Sequence, residues 1–305
     1  MPHYFKRNMK KKSFKTYISL MQSPENQADL VYINDKIHAG NIQYRIQNEK
    51  LYFINIDAEN SLKGERDFLD KIKAWVKYRI GGLYPFFVSL ISPVMTRIYF
   101  PKMKTYWRHI CDTYATPDKN VIQIGSGNDR INDNIINIDI FDFPEVDIIA
   151  DCTKLPFKNN SVDGVISFAM LEHVPNPEAF LIEAYRVIKP GGFIITGVPF
   201  IAGYHASPND YYRWTHSGIK TFHNNYNFDE IKTIPLAGPT SGMLWIVQEW
   251  LAIVLSFNIT PIYYFFWFLL TIFTFPIKLL DILFIHYKFA HRIELFYLFV
   301  GQKKE

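Results

Sequence analysis

The sequence predicts an α/β fold: a Rossmann-like sheet with a small β-rich module ahead of it and an apolar helical insert before its last strand. Three observations point there. From Asn120 to Phe200 the runs VIQIG, IINIDI, VDIIAD, VDGVISFAM and GGFIITGVPF are almost continuously apolar, with the amphipathic PEAFLIEAYRVI set among them, as a parallel sheet covered on both faces requires. Residues 17–57 instead alternate apolar and polar positions with period two. Between FDEIKTIPLA and the terminal IELFYLFVGQK lies the most apolar stretch of the chain.

The elements follow in order. Residues 1–16 form a basic tail, in which Lys6, Arg7, Lys10, Lys11, Lys12 and Lys15 all precede the first acid, Glu25. Such a tail suits a solvated end or an arm for anionic lipid. Residues 17–60 are expected to be the small β-rich module, with a hairpin turning at Gln47-Asn48-Glu49. Residues 61–116 read as a helical connector, because apolar positions recur every three to four residues from Leu62. The uncharged stretch Gly81 to Thr96 inside it is broken by Pro85 and Pro93, which argues against a spanning helix. Residues 117–305 are the α/β domain, with 242–290 as the insert. No charge occurs from Trp250 to Ile277, but Pro261 and Pro276 divide that run into pieces shorter than the roughly 20 residues a span needs. Helices lying in a bilayer interface or forming a lid are therefore expected, with a true span and a protein-buried insert as the alternatives.

Composition narrows the function. At 305 residues a sizeable core is available, and an apolar fraction of 49% with 17% aromatic residues leaves surplus for contact with lipid. A net charge of +4 is too mild to indicate nucleic acid, and no such partner is expected. The two cysteines, Cys111 and Cys152, supply neither a disulfide framework nor a thiolate metal site, so a reducing compartment and no metal are expected. The expected location is cytoplasmic, peripheral or monotopic at the inner face of a membrane.

VIQIGSGNDRINDNIINIDI, residues 121–140, places Gly125-Ser126-Gly127 after one strand and Asp139 with Ile140 at the end of the next. Glycine lets a ligand approach the backbone, and a strand-terminal acid accepts hydrogen bonds from ribose hydroxyls. Dinucleotides are disfavoured. Arg130 stands where a third glycine would be, and only about 14 residues separate Gly125 from Asp139 where that fold needs roughly 20. A helix N-terminus for a pyrophosphate is thus truncated, which a nucleoside without phosphate would not miss.

VIQIGSGNDR, INIDI, ADCTKLPFKNNSVDGVISFAMLEHV and YRVIKPGG resemble, in order and spacing, the class I methyltransferases that use S-adenosylmethionine (SAM). The resemblance covers residues 118–223 and is strongest with a bacterial subgroup that has a shortened first helix and a segment like YHASPNDYYRWTHSGIKTF. It implies that Gly125, Ser126 and Gly127 line the methionine part of SAM and that Asp139 binds the ribose. Asp151 with Cys152 would contact the adenine edge, and Ala169 and His173 would lie beside the sulfonium. Methyl transfer from such a donor asks the protein for positioning, desolvation and, for a hydroxyl acceptor, a general base. His205 is the first candidate base and His173 the second, with Asp210, Tyr211 and Arg213 crowded beside His205. An alternative role for these loop residues is scaffolding, with Asp210 and Arg213 paired and Tyr211 packed.

LMQSPENQADLVYINDKIHAGNIQYRIQNEKLYFI is similar to the small zinc-ribbon-like domain that activates tRNA methyltransferases, but Ser23 and Asn26 stand near where a cysteine pair would be. Any retained fold there binds no zinc through that motif. Basic tail and apolar insert together lead us to expect a small-molecule or lipid-linked acceptor, such as a cell-surface glycan intermediate. The alternatives are O-methylation of an isoprenoid quinone precursor and a non-catalytic membrane scaffold.

Overall fold

The computed structural model describes residues 12–54, 106–206 and 209–305. Residues 1–11 of the basic tail, residues 55–105, which hold the end of the β-rich module and most of the connector expected over 61–116 with its uncharged stretch, and Ser207 and Pro208 lie outside them.

Seven strands make the central sheet: β5 (Val121–Ile124), β6 (Ile135–Asp139), β7 (Ile148–Ile149), β8 (Val162–Phe168), β9 (Ile188–Pro199), β10 (Phe228–Ala237) and β11 (Phe296–Lys303). They are ordered β7-β6-β5-β8-β9-β11-β10. The first five run parallel, while β11 is antiparallel to both neighbours. Every side chain of β5 and β6 is buried, which is why those strands read as unbroken apolar runs. Helices cover both faces. α1 (Tyr106–Tyr114) lays Trp107 flat against Phe168 on one of them, and α2 (Pro177–Val187) packs Phe180, Leu181 and Ala184 into the cluster on the other.

The N-terminal strands extend this sheet. β1 (Val31–Ile33), β2 (Lys36–Ala39), β3 (Ile42–Gln47) and β4 (Lys50–Tyr52) form an antiparallel meander. Its turns at Asn34-Asp35 and Asn48-Glu49 have two consecutive positive-φ residues, as tight hairpins demand. β4 then pairs parallel with β7, Leu51 opposite Ile148, so the sheet reaches eleven strands. Ser23, fully buried, bonds the Tyr44 hydroxyl at 2.8 Å and accepts from the Asn26 backbone N–H at 3.2 Å. Asn26 in turn donates to the Ala39 carbonyl at 3.1 Å. Hydrogen bonds to a serine hub thus fix the turn that a metal would hold in a zinc ribbon.

No helix stands between β5 and β6. The turn there is held by Arg130, which is buried and grips Asp147 through Nη2 at 2.7 and 2.8 Å while donating to the carbonyls of Glu145 and Ile135. The residue in place of a third glycine is therefore a strut, and bidentate pairing with Asp147 stiffens the loop in the helix's stead.

Between β10 and β11 rise α3's downstream partners: α3 (His216–Asn224) lies on the sheet, whereas α4 (Pro239–Leu255), α5 (Thr260–Lys278) and the short α6 (Asp281–Phe284) project from it. The proline breaks expected at 261 and 276 do not divide α5. Pro261 occupies the first turn, where a missing N–H costs nothing, and Pro276 falls in the last, where it removes one hydrogen bond near an end that frays anyway. Among the described residues α5 is the one helix long and apolar enough, by length and composition, to cross a membrane.

The polarity of this helix pair is inverted relative to a soluble hairpin. Polar groups meet along the seam: Glu249 accepts from the indoles of Trp245 and Trp267 at 3.3 and 3.0 Å and from the Tyr263 hydroxyl, and Gln248 bonds Thr274. Outward stand Ile246, Trp250, Ile253, Phe257, Phe265, Phe268 and Phe273, with Trp250 61% and Phe257 82% exposed. The hairpin is tied down by Asp281, whose carboxylate accepts the Thr240 and Ser241 N–H groups at 2.7 and 2.8 Å.

Candidate functional site

The four parallel strands β7, β6, β5 and β8 all end at one edge of the sheet, and chain order reverses between β5 and β8. A crevice at such a reversal is where open α/β sheets hold ligands. Gly125, Ile140, Asp151, Cys152 and Ala169 follow those strands directly and are all partly exposed there.

Gly125 and Gly127 have φ of +68° and +54°, the left-handed region that glycine enters without strain. A Cβ on Gly125 would meet Met170 Cγ at 2.3 Å, so that glycine is needed for packing as well. A Cβ on Gly127 would meet nothing within 4 Å, which marks the open side of the cradle. Asp139 closes it: Oδ2 accepts the Gly127 N–H at 2.8 Å and Oδ1 the Phe141 N–H at 3.0 Å. It is 8% exposed. Burial raises its pKa, and the N–H groups of Phe141, Gly127 and Ile140 only partly offset that. Each oxygen keeps a second lone pair for a further donor.

Asp151 makes an Asx turn, its Oδ1 accepting from the Thr153 N–H and hydroxyl at 2.8 Å each, which leaves Oδ2 for an incoming donor. Cys152 has its thiol pushed up to about 12, by burial first and then by Asp151 and Asp139, so it is an inert wall. Ala169 is held at φ +50° by its N–H bond to the Gly197 carbonyl at 2.9 Å. Ser126 Oγ is buried without a hydrogen-bond partner among the described residues.

These groups fit SAM. A vicinal diol can give one hydrogen bond to each Asp139 oxygen, the orphaned Ser126 hydroxyl and the open Gly127 side receive a polar chain, and Asp151 Oδ2 can accept from an exocyclic amine.

The second half of the site is built from side chains. After β9, residues 209–211 return to the short 3-10 turn Leu171–His173 that follows β8. The Tyr211 N–H donates to the Glu172 carbonyl at 2.7 Å, and the His173 Nδ1–H donates to the Asn209 carbonyl at 2.6 Å. His205 and His173 meet edge to face with centroids 5.2 Å apart. Both point Nε2 toward Glu172 Oε1, at 3.6 Å from His205 and 3.8 Å from His173, too far for a hydrogen bond.

Glu172 was not a sequence candidate, yet it lies at the centre. It is fully buried, and neither carboxylate oxygen has a hydrogen-bond partner among the described residues. Its only sequence signal is an acid beside the candidate histidine in LEHV. Glu172, His173 and His205 form a set whose ligand atoms all lie within 4.8 Å of one another and could hold a metal ion, where the sequence leads to the expectation of none.

Asp210 and Arg213 brace the loop. They form a two-point ion pair at 2.5 and 2.6 Å, while Asp210 accepts the His205 N–H and Arg213 donates to the carbonyls of Ala202, Gly203 and Tyr212. Burial raises the Asp210 pKa, but Arg213 and His205 outweigh it and hold the carboxyl below its ordinary value. Tyr211 is half exposed and contributes its backbone. For His205, burial disfavours the charged ring, yet Glu172, the Gly203 carbonyl and Asp210 together raise its pKa above the ordinary imidazole value.

Residues 117–196 match the methyltransferase domain family. A sterol 4-C-methyltransferase of Caenorhabditis elegans is 30% identical over 86 residues, 28% of this chain and 25% of that protein. A ubiquinone/menaquinone biosynthesis C-methyltransferase of Coxiella burnetii is 38% identical over 79 residues, 26% of this chain and 29% of that protein. The chain thus spans less than a third of either relative. Phosphoethanolamine N-methyltransferase 2 of Haemonchus contortus, solved with SAM, is 13% identical with a TM-score of 0.46 over 81% of this chain and 60% of its own.

Proposed function

We propose, from the premise that residues 117–196 are a SAM-dependent methyltransferase domain, that this chain methylates a hydroxyl on an acceptor held at a membrane surface. The observation that carries the reading is the direct contact between the acceptor-side loop and the apolar hairpin. Gly203 sits so tightly against α4 that a Cβ there would meet Trp245 Nε1 at 2.3 Å, and the His205 and Trp245 rings lie 5.6 Å apart. An acceptor whose reactive group sits at headgroup depth would meet His205 as the hairpin's outer face meets lipid. Removing such half-exposed side chains from water is worth roughly 1 kcal/mol each, so a handful suffices for reversible attachment.

In this reading Asp139 holds the ribose, Gly125 to Gly127 shape the cradle and Asp151 takes the adenine amine. SAM when bound supplies a methyl group already activated on a sulfonium. The protein's task is to present the acceptor oxygen in line, exclude water and remove the hydroxyl proton. Glu172, His173 and His205 form the wall where that proton leaves, with the Asp210–Arg213 brace fixing His205. A lipid-linked glycan intermediate suits this arrangement. The local likeness to sterol and quinone-biosynthesis methyltransferases supports an isoprenoid quinone precursor as the second reading.

The test joins sedimentation with transfer. The full chain should sediment with vesicles containing anionic phospholipid and move labelled methyl from SAM into the organic phase of a membrane extract. The double variant Trp250→Glu/Phe257→Glu should lose both while still binding SAM. Unchanged sedimentation of that variant would sink the membrane reading, and wild type that binds no SAM would make the chain a scaffold.

A further inference from the structure

We infer that Glu172, His173 and His205 form a binding site for one divalent transition-metal ion at the acceptor side of the cleft. Four observations meet here.

The tautomers come first. His173 commits Nδ1–H to the Asn209 carbonyl at 2.6 Å, and His205 commits Nδ1–H to the Gly203 carbonyl at 2.9 Å. A carbonyl accepts only, so in the neutral rings both protons sit on Nδ1 and both Nε2 atoms carry lone pairs. Backbone carbonyls holding the far nitrogen are the usual outer support of metal-bound imidazoles. The orphaned carboxylate comes second. Two lone pairs face Glu172, which is fully buried and has no hydrogen-bond partner for either oxygen among the described residues. Three acceptors converging on one point with no donor between them are mutually repulsive, and a cation at that point removes the repulsion.

Distance is the third. Glu172 Oε1 stands 3.6 Å from His205 Nε2 and 3.8 Å from His173 Nε2, and the three ligand atoms lie within 4.8 Å of one another. Ligands at about 2.1 Å around a tetrahedral zinc-type ion are separated by roughly 3.4 Å, so closure needs shifts of tenths of an ångström for the carboxylate contacts. Charge is the fourth. Asp210 and Arg213, beside His205 Nδ1 at 3.5 and 3.4 Å, neutralise each other in their own pair, and among the described ion pairs Glu172 meets only the two imidazoles.

Two imidazoles, of which His205 is 29% exposed, and one carboxylate form the donor set of an ion that keeps a place for a substrate oxygen. An acceptor hydroxyl bound there would lose its proton to water at near-neutral pH, which makes His205 a ligand instead of the base. That consequence rests on the methyltransferase reading, whereas binding of the ion does not.

The full chain, stripped with chelator and dialysed, is titrated with Co²⁺ followed by its visible d–d absorption, and with Zn²⁺ by calorimetry; SAM is titrated separately. One equivalent of Co²⁺ should bind with a four- or five-coordinate spectrum. His173→Ala and His205→Ala should each weaken it by at least 10- to 100-fold, the cost already known for lost supporting contacts of metal ligands. SAM affinity should stay within a fewfold in His205→Ala, which also reports that it folds, and circular dichroism reports the fold of His173→Ala. Glu172→Gln should likewise lose Co²⁺, with His205→Ala as the safer variant should burial of the amide prevent folding. No saturable Co²⁺ or Zn²⁺ binding in a wild type that binds SAM overturns the inference, as does binding that survives His205→Ala undiminished. Co²⁺ binding that depends on His205 in a protein that binds no SAM would uphold the site and overturn the methyltransferase reading instead.

Discussion

Two buried carboxylates stand on either side of the cleft, and they differ in what surrounds them. Asp139 is met by the main chain: Gly127, in a positive-φ turn that the pairing of β5 with β6 brings alongside, and Phe141, two residues after it, each give it an N–H. Glu172 is met by side chains, the Nε2 atoms of His173 and His205 at 3.8 and 3.6 Å, and neither of its oxygens has a hydrogen-bond partner among the described residues. The first is a half-satisfied acceptor that completes itself with hydroxyl donors. The second completes itself with a cation or a proton. A cofactor half built from backbone is common property of a fold, whereas an acceptor half built from side chains on a returning loop is particular to one chain.

The largest expected effect breaks this pairing outright. Asp139→Ala should weaken SAM binding by about a hundredfold or more, since hydrogen bonds to a charged group contribute roughly 1.5–3 kcal/mol each and two are lost. Glu172→Gln should leave SAM affinity within about threefold. Equal losses in both, measured by calorimetry, would mean the two halves are one site.

A third buried group sharpens the contrast, because His223 is fully partnered and should affect stability alone. Its ring bonds the Ile219 carbonyl and Thr196 at 2.9 Å each and stacks on Phe299, and burial lowers its pKa to about 4. The unfolded chain therefore takes up this proton first as pH falls. Its contribution is intact above about 6.5 and lost progressively from there down through about 4, roughly 3 kcal/mol in all. Urea melts should show His223→Gln losing less stability than wild type across that window. A parallel pH dependence of the two would contradict the assignment.

Smaller still is the difference between the glycines. Gly125→Ala meets both a positive φ and Met170, whereas Gly127→Ala meets the φ alone. Thermal melts should place the first about 2–3 kcal/mol below wild type and the second about 1 kcal/mol below. Similar values would mean that Met170 moves aside.

What was legible in the sequence follows the same divide. The glycine turn, the strand-ending Asp139 and the strand runs could be read because each carries its own local mark, as does the Asn48-Glu49 hairpin, whereas the bond of the Gly127 N–H to Asp139 comes from the pairing of β5 with β6. Arg130 could be read only as a missing glycine; its partner Asp147 is brought to it by the pairing of β6 with β7. Parallel pairing of β4 with β7, which merges the N-terminal meander into the main sheet, leaves no local mark either. Glu172 carries no local mark that sets it apart in LEHV; it is fully buried, and its carbonyl is met by the Tyr211 N–H from the loop after β9. Pro261 and Pro276 were legible as residues but not as positions, since their cost depends on where in a helix they fall. The apolar content of 242–290 was plain, but its inverted seam around Glu249 required knowing which faces of α4 and α5 meet.

The central claim is that the Asp139 edge holds SAM. It is tested most directly by titrating SAM into the purified full chain and into Asp139→Ala, with circular dichroism to show that both are folded. Saturable one-to-one binding at micromolar concentration in wild type, reduced about a hundredfold or more in the variant, is the predicted result. No binding to the folded wild type, or equal binding to both, would contradict it.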